Sequence, residues 1–309
     1  MIKRKIAAII VTFNRVALLK SCLDSVGKQT YSPIAVYVVD NASTDGTDTW
    51  IRENGYDGVK SGIEFRYIRL AENIGGSGGF YTGMKAAYEA NDQFDAFWLM
   101  DDDGMPDAHQ LEKLVVHLPK RDYLSSIVVA KEDQSKIAFG SHPLVEEYVK
   151  DADSNGLINN EAFPFNGVLY SRKLVEKVGY PVQDMFIWGD EANFHWRCKD
   201  NGFDPAVVID AIHVHPADRQ PQMTILRKYK VVVPPQDWKL YCYVRNRMYN
   251  MQVSPSFRQI MKRGALHIFF DFSIYFTFYS FNWNKLWIVY KAMWDGWRKD
   301  LSRLGEYRK

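Results

Sequence analysis

The sequence is poor in cysteine and has no large excess of charge. Cys22, Cys198 and Cys242 are widely spaced, odd in number and form no C-x-x-C pair. Neither a disulfide framework nor a thiolate metal site is suggested, and a reducing compartment fits best. A formal net charge of +2 lacks the basic excess typical of nucleic-acid partners. No internal repeat is found.

A long apolar leader is also missing from the N-terminus. Lys3, Arg4 and Lys5 precede an apolar run, as in a signal peptide. The run is short and stops at Asn14 and Arg15 without a small-residue cleavage site. We therefore interpret it as a first strand and expect a cytoplasmic protein.

Apolar runs and helical patterns alternate through the first half of the chain. The runs are IAAIIVT (6–12), AVYVVD (35–40), IEFRYIRL (63–70) and FDAFWLMD (94–101). Between them lie RVALLKSCLDSV, TDTWIREN and FYTGMKAAYEA, with apolar residues at helix spacing. This alternation predicts an α/β fold with a mainly parallel sheet covered on both faces.

Polar clusters follow all four predicted strands. They are FNR (13–15), DNASTDGT (40–47), ENIGGSGG (72–79) and DDDG (101–104). Ligands of parallel sheets bind beyond the carboxyl ends of the strands, so a ligand site is expected at this edge. Each cluster alone is also consistent with an ordinary turn.

The three consecutive carboxylates of Asp101, Asp102 and Asp103 repel one another unless a cation, a shared proton or hydrogen-bond donors hold them. Asp101 and Asp103 are two apart and can share one magnesium or manganese ion, which would also bind a diphosphate. A solvated acidic turn is the alternative. His213 and His215 alternate on a predicted strand, and one could complete the metal shell, although packing histidines give the same pattern.

Two further motifs carry candidate chemistry. NIGGSGG (73–79) allows close approach of the backbone to a ligand and precedes a helix whose N-terminus favours anions. A flexible loop with no ligand is the alternative interpretation. NIGGSGG is neither G-x-G-x-x-G nor a Walker motif. In WGDE (188–191), Asp190 is either a helix N-cap or a general base beside a platform for a sugar ring.

In order, IIVTFNR, VVDNASTDGT, DDD, WGDE and the late histidine resemble the motifs of inverting glycosyltransferases of family 2, which have the GT-A fold. The resemblance covers roughly residues 6–247. NIGGSGGF, MDDDG, FNG and FIWGDE are most similar to bacterial galactofuranosyltransferases, which use UDP-galactofuranose. Rhamnosyltransferases that use dTDP-rhamnose share much of this pattern.

The resemblance implies roles for named residues. Its nucleotide-sugar site comprises Thr12, Phe13, Asn14, Arg15, Asp40, Asn73, Gly76, Asp101 and Asp102. Within it, Arg15 would lie near the diphosphate and Asp40 would read the uracil ring. Asp103 and His215 would hold Mn²⁺ or Mg²⁺, and Asp190 would be the catalytic base, with Trp188 and Glu191 at the acceptor. Gly189 departs from the Trp-Asp-Asp of galactofuranosyltransferases, so one acceptor carboxylate is missing unless Glu191 replaces it.

The implied function is metal-dependent, inverting sugar transfer from a UDP-sugar to a glycan or lipid-linked glycan in cell-surface polysaccharide synthesis, such as that of O-antigen. A sugar nucleotidyltransferase would carry a basic Gly-rich signature after the first strand, which VTFNR lacks. A non-catalytic glycan-binding scaffold is the alternative of another class.

The last part of the chain differs in composition. We expect a glycosyltransferase domain over 1–237 and a helical segment over 238–309. Residues 265–281 are strongly apolar but contain His267 and Asp271, and their length is near the lower limit for a spanning helix. Tryptophans among basic residues follow, which suits peripheral contact with the inner face of a bacterial plasma membrane. A helical subdomain that packs on the core or on a second copy in a homo-oligomer is the alternative.

Overall fold

The computed structural model describes residues 3–217, 222–226 and 229–308. The strands are Ile6–Thr12 (β1), Ala35–Asp40 (β2), Val59–Lys60 (β3), Ile63–Arg69 (β4), Ala96–Asp101 (β5), Met105–Pro106 (β6), Tyr123–Ala130 (β7), Leu157–Asn159 (β8), Val168–Ser171 (β9), Ala206–His215 (β10), Gln222–Ile225 (β11) and Tyr229–Val232 (β12). The helices are Val16–Gly27 (α1), Thr47–Glu53 (α2), Gly75–Glu89 (α3), Gln110–His117 (α4), Val145–Tyr148 (α5), Arg172–Val178 (α6), Asp190–Asp200 (α7), Asp237–Val253 (α8), Pro255–Ile260 (α9), Gly264–Ile274 (α10) and Trp283–Trp297 (α11).

Within the described residues, ten strands form one sheet in the order β3-β4-β2-β1-β5-β9-β7-β10-β6, with β8 paired to β10. The block β4-β2-β1-β5 is entirely parallel. Every residue of β1 and β2 is buried, as expected for parallel strands covered by helices on both faces. The predicted α/β fold with a mainly parallel central sheet is confirmed.

The register of the parallel block aligns the ends of its strands. Thr12 pairs with Asp40, Asp40 with Arg69, and Val11 with Asp101. The loops that follow β1, β2, β4 and β5 therefore leave the sheet at the same edge. This register is what brings the predicted polar clusters of the first half of the chain together.

Helix α3 packs unusually close to the sheet through two of its glycines. A Cβ atom on Gly79 would lie 2.4 Å from Val11 Cγ1, and one on Gly83 would lie 2.5 Å from Ile9 Cγ2. Around Gly76, by contrast, a Cβ atom would meet nothing within 4 Å. The glycines of this stretch thus have two different structural effects. Gly79 allows α3 to contact the sheet, whereas Gly76 leaves unfilled space beside the start of the helix.

The chain divides into two compact units. The first runs to Gln183 and resumes at Asn201 through β10, whereas the second takes Asp184–Asp200 and the described residues from 222 onward. This division differs from the expected boundary at residue 237. Segment 184–200 joins the C-terminal helices because its polar groups bond to them, as Ser254 Oγ does to Asp200 Oδ2 at 2.6 Å.

Helices α8 and α11 form the centre of the second unit. A Cβ atom on Gly296 would lie 2.3 Å from the carbonyl oxygen of Arg245, so the two helix backbones approach closely there. Tyr241 OH donates to the buried Asp295 Oδ2 at 2.7 Å across the same interface. Over the described residues, no helix combines the length and apolar character needed to cross a membrane.

All three cysteines are buried and unpaired. Burial raises the pKa of Cys22 well above its usual value. It also raises the pKa of Cys198 to about 12 and that of Cys242 to about 11. Since the thiolate is the reactive form, these side chains behave as small apolar core residues.

Candidate active site

The loop after β1 exposes an aromatic ring and is bound to the loop after β2. Phe13 is 40% exposed, although it is large and apolar. Asn14 has a φ of 53°, a left-handed conformation that asparagine tolerates. Its backbone N–H donates to Ser43 Oγ at 2.8 Å, and its Oδ1 accepts from Thr44 N at 2.7 Å. These bonds hold the two loops as one polar surface at the strand ends.

Asp40, the predicted reader of the uracil ring, is fully buried at the end of β2. Its Oδ1 accepts from the backbone N–H of Ser43 at 2.8 Å, and its Oδ2 accepts from Tyr67 OH at 2.7 Å. Burial and the Asp40 carboxylate raise the pKa of Tyr67, so this phenol stays a donor. Each carboxylate oxygen of Asp40 has a second lone pair, which would accept a hydrogen bond from a nucleotide base.

Among the three consecutive aspartates, Asp102 is the buried one, at 2% exposure. Thr12 Oγ1 donates to its Oδ2 at 2.6 Å, and Arg15 Nη1 donates to its Oδ1 at 3.2 Å. Burial raises the pKa of Asp102 to about 6, although Thr12 and Arg15 act in the opposite direction. Asp101 ends β5 and is partly exposed.

Asp103 lies between the guanidinium of Arg15 and the imidazole of His215. Arg15 Nη1 donates to its Oδ2 at 2.9 Å, and His215 Nε2 lies 3.2 Å from its Oδ1. Burial opposes charge on both members of the Asp103–His215 pair, yet their mutual attraction lowers the pKa of Asp103 and raises that of His215. The adjacent carboxylates are thus compensated by a guanidinium that bridges two of them and by an imidazole.

The two histidines of β10 have different surroundings. His215 Nδ1 lies 2.7 Å from the carbonyl oxygen of Pro216, which leaves Nε2 toward Asp103. His213 is fully buried, its Nδ1 lies 3.1 Å from Gln110 Oε1, and burial lowers its pKa to about 3. The packing interpretation therefore suits His213, whereas His215 reaches the carboxylate cluster.

The predicted metal pair, Asp103 and His215, fits a divalent ion that shares its coordination with a substrate. No group of three or more His, Cys, Asp or Glu among the described residues is arranged to hold a metal. Magnesium and similar ions are nevertheless often held by one or two protein ligands together with substrate phosphates and water. A backbone carbonyl on the far ring nitrogen, as at His215, is a common support for a ligating histidine.

Asn41, which the sequence did not single out, fixes the start of α3. Its Nδ2 donates to the carbonyl oxygen of Gly75 at 3.2 Å, and its Oδ1 accepts from Ile74 N at 3.3 Å. The predicted nucleotide contact Asn73 accepts from Gly75 N at 2.8 Å. The helix that carries Gly76 is thereby tied to the end of β2. The sequence signal for this role is weak, since it shows only an asparagine directly after a predicted strand.

The remaining predicted site residues, Trp188, Asp190 and Glu191, lie in the second unit. Asp190 is the first residue of α7 and is only 3% exposed. Glu191 carries the second carboxylate of this first turn, where the positive end of the helix dipole favours negative charge. The indole of Trp188 meets the ring of Tyr243 edge-on, with centroids 6.2 Å apart. Two carboxylates and an aromatic ring therefore occur together at this helix start.

The family profile described as Glycosyl transferase family 2 matches residues 7–179. This chain belongs to that family. Curated relatives of this family 2 protein include galactofuranosyltransferase GlfT1 of Mycolicibacterium smegmatis, 30% identical over 275 residues, which are 84% of this chain and 87% of the relative. GlfT1 of Mycobacterium tuberculosis is 30% identical over 274 residues, with coverages of 84% and 86%. The protein is a glycosyltransferase.

Solved structures share the fold of this family 2 glycosyltransferase. S. aureus TarS 1–349 has a TM-score of 0.60 at 14% identity and covers 97% of this chain and 83% of its own. The mannosyltransferase PcManGT from Pyrobaculum calidifontis, in complex with GDP-Man and Mn²⁺, has a TM-score of 0.54 at 17% identity, with coverages of 94% and 74%. The chain spans 40% of a longer TarS structure. The predicted GT-A fold is confirmed.

Proposed function

We propose that this glycosyltransferase transfers galactofuranose from UDP-galactofuranose to a hydroxyl group of a glycan or lipid-linked glycan, with inversion. The observation that carries the proposal is the cluster of Thr12, Arg15, Asp102, Asp103 and His215 at the strand ends. It combines carboxylates suited to a divalent ion with a guanidinium suited to a diphosphate. Similarity to GlfT1 over most of the chain supports the choice of donor sugar.

The donor would be held by the loops of the first unit. The exposed ring of Phe13 would stack on the base, and the buried Asp40 would both position its loop and accept from the uracil. The Arg15 side chain is half exposed, so part of its guanidinium would donate to the diphosphate in place of Asp103. Asn73 and Gly76 would line the same donor at the start of α3.

Asp103 and His215 would hold Mn²⁺ or Mg²⁺. Such an ion, when bound, stabilises the negative charge that grows on the leaving diphosphate. Asp190 would accept the proton of the acceptor hydroxyl while the acceptor oxygen attacks the anomeric carbon opposite the diphosphate, which inverts that centre. Trp188 and Glu191 would contact the acceptor.

A donor panel tests the sugar and the metal. The full chain is incubated with UDP-galactofuranose, UDP-galactopyranose or dTDP-rhamnose, using octyl β-galactofuranoside as acceptor, and nucleotide release is measured with manganese or with EDTA. We expect release from UDP-galactofuranose that is lost with EDTA and restored by manganese. Preferential turnover of dTDP-rhamnose would overturn the donor assignment, and full activity in EDTA would overturn the metal assignment.

A matched pair of variants tests the base. Asp190→Asn keeps the shape of the side chain but removes its basicity, and loss of a general base costs about 10²- to 10⁴-fold in rate. Asp184→Asn makes the same change at an exposed position six residues earlier and should leave the rate unchanged. UDP affinity, measured by calorimetry, should be unaffected in both. A fully active Asp190→Asn enzyme would exclude Asp190 as the base.

We further propose that α10 and α11 contact an anionic membrane surface. Several large side chains of this part of the chain are more than half exposed: Phe270, Phe278, Phe281, Trp283, Trp287, Trp294 and Trp297. Basic groups accompany them, with Lys291 Nζ 5.9 Å from the centre of the Trp287 ring and the Arg298 guanidinium 5.7 Å from that of Trp294. Exposed tryptophans beside basic groups suit the headgroup region of a bilayer.

Liposome flotation tests this surface. The wild type should float with vesicles containing phosphatidylglycerol and much less with phosphatidylcholine alone, because basic groups are attracted to anionic lipid. The double variant Trp287→Ser/Trp294→Ser should lose flotation, while Val116→Ser, at an exposed apolar residue of the first unit, should not. A double variant that floats like the wild type contradicts the proposal, and a concentration-dependent dimer that this variant abolishes would assign the surface to a second copy.

A further inference from the structure

The loop that leads into α7 has a costly backbone. Within four residues, Phe186, Trp188 and Gly189 all have positive φ values, of 69°, 58° and 100°. Glycine adopts this conformation freely, but bulky residues such as Phe186 and Trp188 are strained in it. Such a conformation persists only where the surrounding contacts impose it.

Three side chains of α8 bond to the carbonyl groups of this loop. Arg245 Nη2 donates to the carbonyl oxygens of residues 184 and 185, at 3.1 and 3.0 Å. Asn246 Nδ2 lies 3.0, 3.0 and 2.7 Å from the carbonyl oxygens of residues 185, 187 and 188, which share its two hydrogens. Asn250 Nδ2 donates to the carbonyl oxygen of residue 189 at 2.8 Å. Asn246 and Asn250 together thus form hydrogen bonds with the carbonyl oxygens of four loop residues, 185, 187, 188 and 189.

The donors of α8 are themselves fixed. Arg245 and Asn246 are fully buried and Asn250 is 1% exposed. Arg245 Nε donates to Asn246 Oδ1 at 3.0 Å, and Asn193 Nδ2 of α7 donates to Asn250 Oδ1 at 3.0 Å. Each amide therefore has its oxygen bound as well as its nitrogen, so neither can rotate without losing bonds in a buried site.

We infer that Asn246 and Asn250, supported by Arg245, are positioning residues that hold the loop before α7 and thereby the carboxylate of Asp190. The inference rests on the proposed role of Asp190 as the base. The bonds run directly from the two asparagines to the residues that precede Asp190 and, through Asn193, to the first turn of its helix. A misplacement of about 1 Å at a reacting group lowers the rate by about 100-fold.

Asn246→Ala in the full chain tests this inference, with UDP-galactofuranose and octyl β-galactofuranoside as substrates. We expect kcat to fall by at least about tenfold, while the KM for donor and the affinity for UDP change by less than about twofold. Amide hydrogen exchange of residues 185–193 should accelerate at the same time. Asn91→Ala, at an exposed asparagine of the first unit, is the matched control and should change none of these.

A double-mutant cycle separates positioning from general stability. If Asn246 acts through Asp190, Asn246→Ala/Asp190→Asn should have the same residual rate as Asp190→Asn alone. Independent, multiplicative losses would overturn the inference, as would an Asn246→Ala enzyme with the wild-type kcat. Full activity in Asp190→Asn would instead refute the proposed base. Should Asn246→Ala fail to fold, Asn250→Ala, which removes one carbonyl bond, enters the same cycle.

Discussion

Two alanine substitutions in one helix should have opposite effects on stability. Gly79 and Gly76 are three residues apart in α3, yet an added methyl group has no space at Gly79 and open space at Gly76. At Gly79 the new carbon would lie 2.4 Å from Val11 Cγ1, whereas carbon atoms in contact are about 3.5–4.0 Å apart. Val11 is a stiff, buried, β-branched residue of the central strand, so the helix must move.

The size of each effect follows from these contacts. Overpacking of this kind costs about 1–3 kcal/mol. Alanine has a higher helix propensity than glycine, which offsets less than about 1 kcal/mol of that cost. We therefore expect Gly79→Ala to lower the free energy of unfolding by about 1–2 kcal/mol. Gly76→Ala reduces the freedom of the unfolded chain without a clash and should be stabilised by about 0.5 kcal/mol. For a unit of this size, 1 kcal/mol corresponds to about 2–4 °C in Tm.

Thermal unfolding and UDP-galactofuranose binding, measured on both variants, complete this test. Gly79→Ala should unfold at a lower temperature and, once folded, bind the donor normally. Gly76→Ala should unfold slightly later but bind the donor about tenfold more weakly, since its methyl group would occupy the space proposed for the ligand. A Gly79→Ala protein as stable as the wild type would refute the packing argument, and unchanged binding in Gly76→Ala would remove Gly76 from the donor site.

Three further predictions concern the second unit. Gly296→Ala would press a methyl group against the backbone of Arg245 and should lower the free energy of unfolding by about 1–3 kcal/mol in urea, so an unchanged midpoint would contradict the described helix contact. Tyr241→Phe removes the 2.7 Å hydrogen bond to the buried Asp295 and leaves it the longer bond from Arg303 Nη1 at 3.4 Å, so it should cost about 1–3 kcal/mol in the same assay. A cost near zero would show that the Arg303 bond is enough to stabilise Asp295. Burial lowers the pKa of His195 to about 4, so the unfolded chain binds its proton first and stability should fall between about pH 6.5 and pH 4. His195→Gln should flatten that part of the pH profile, and an equally steep profile would refute the assignment.

Much of the first unit could be predicted because its signals are local. Buried parallel strands such as β1 and β2 are continuous apolar runs, and the polar residues that follow them mark the ligand edge of the sheet. The predicted pairing of Asp103 with His215 over more than a hundred residues came from the family resemblance. The structure brings these two side chains into contact.

Other features depend on contacts that a single sequence does not show. Asp101, Asp102 and Asp103 look alike along the chain, and only the fold makes Asp102 the buried one, bonded to Thr12. The glycines of α3 likewise differ only by what lies opposite each of them.

The polar residues of α8 illustrate the same limit. Asn246 and its neighbours lie in the segment 238–309, for which the sequence predicts helices but no partner for these polar side chains. Their partners are backbone carbonyl groups about sixty residues away, and backbone groups carry no sequence signal.

The burial of all three native thiols has a practical consequence for labelling. Since Cys22, Cys198 and Cys242 are enclosed in the folded protein and hold their protons, a maleimide dye added under native conditions should find no reactive sulfur. A cysteine introduced at an exposed position such as Asn284 would then be the one accessible attachment point. Fluorescent probes could therefore be placed on the otherwise unaltered enzyme, one site at a time.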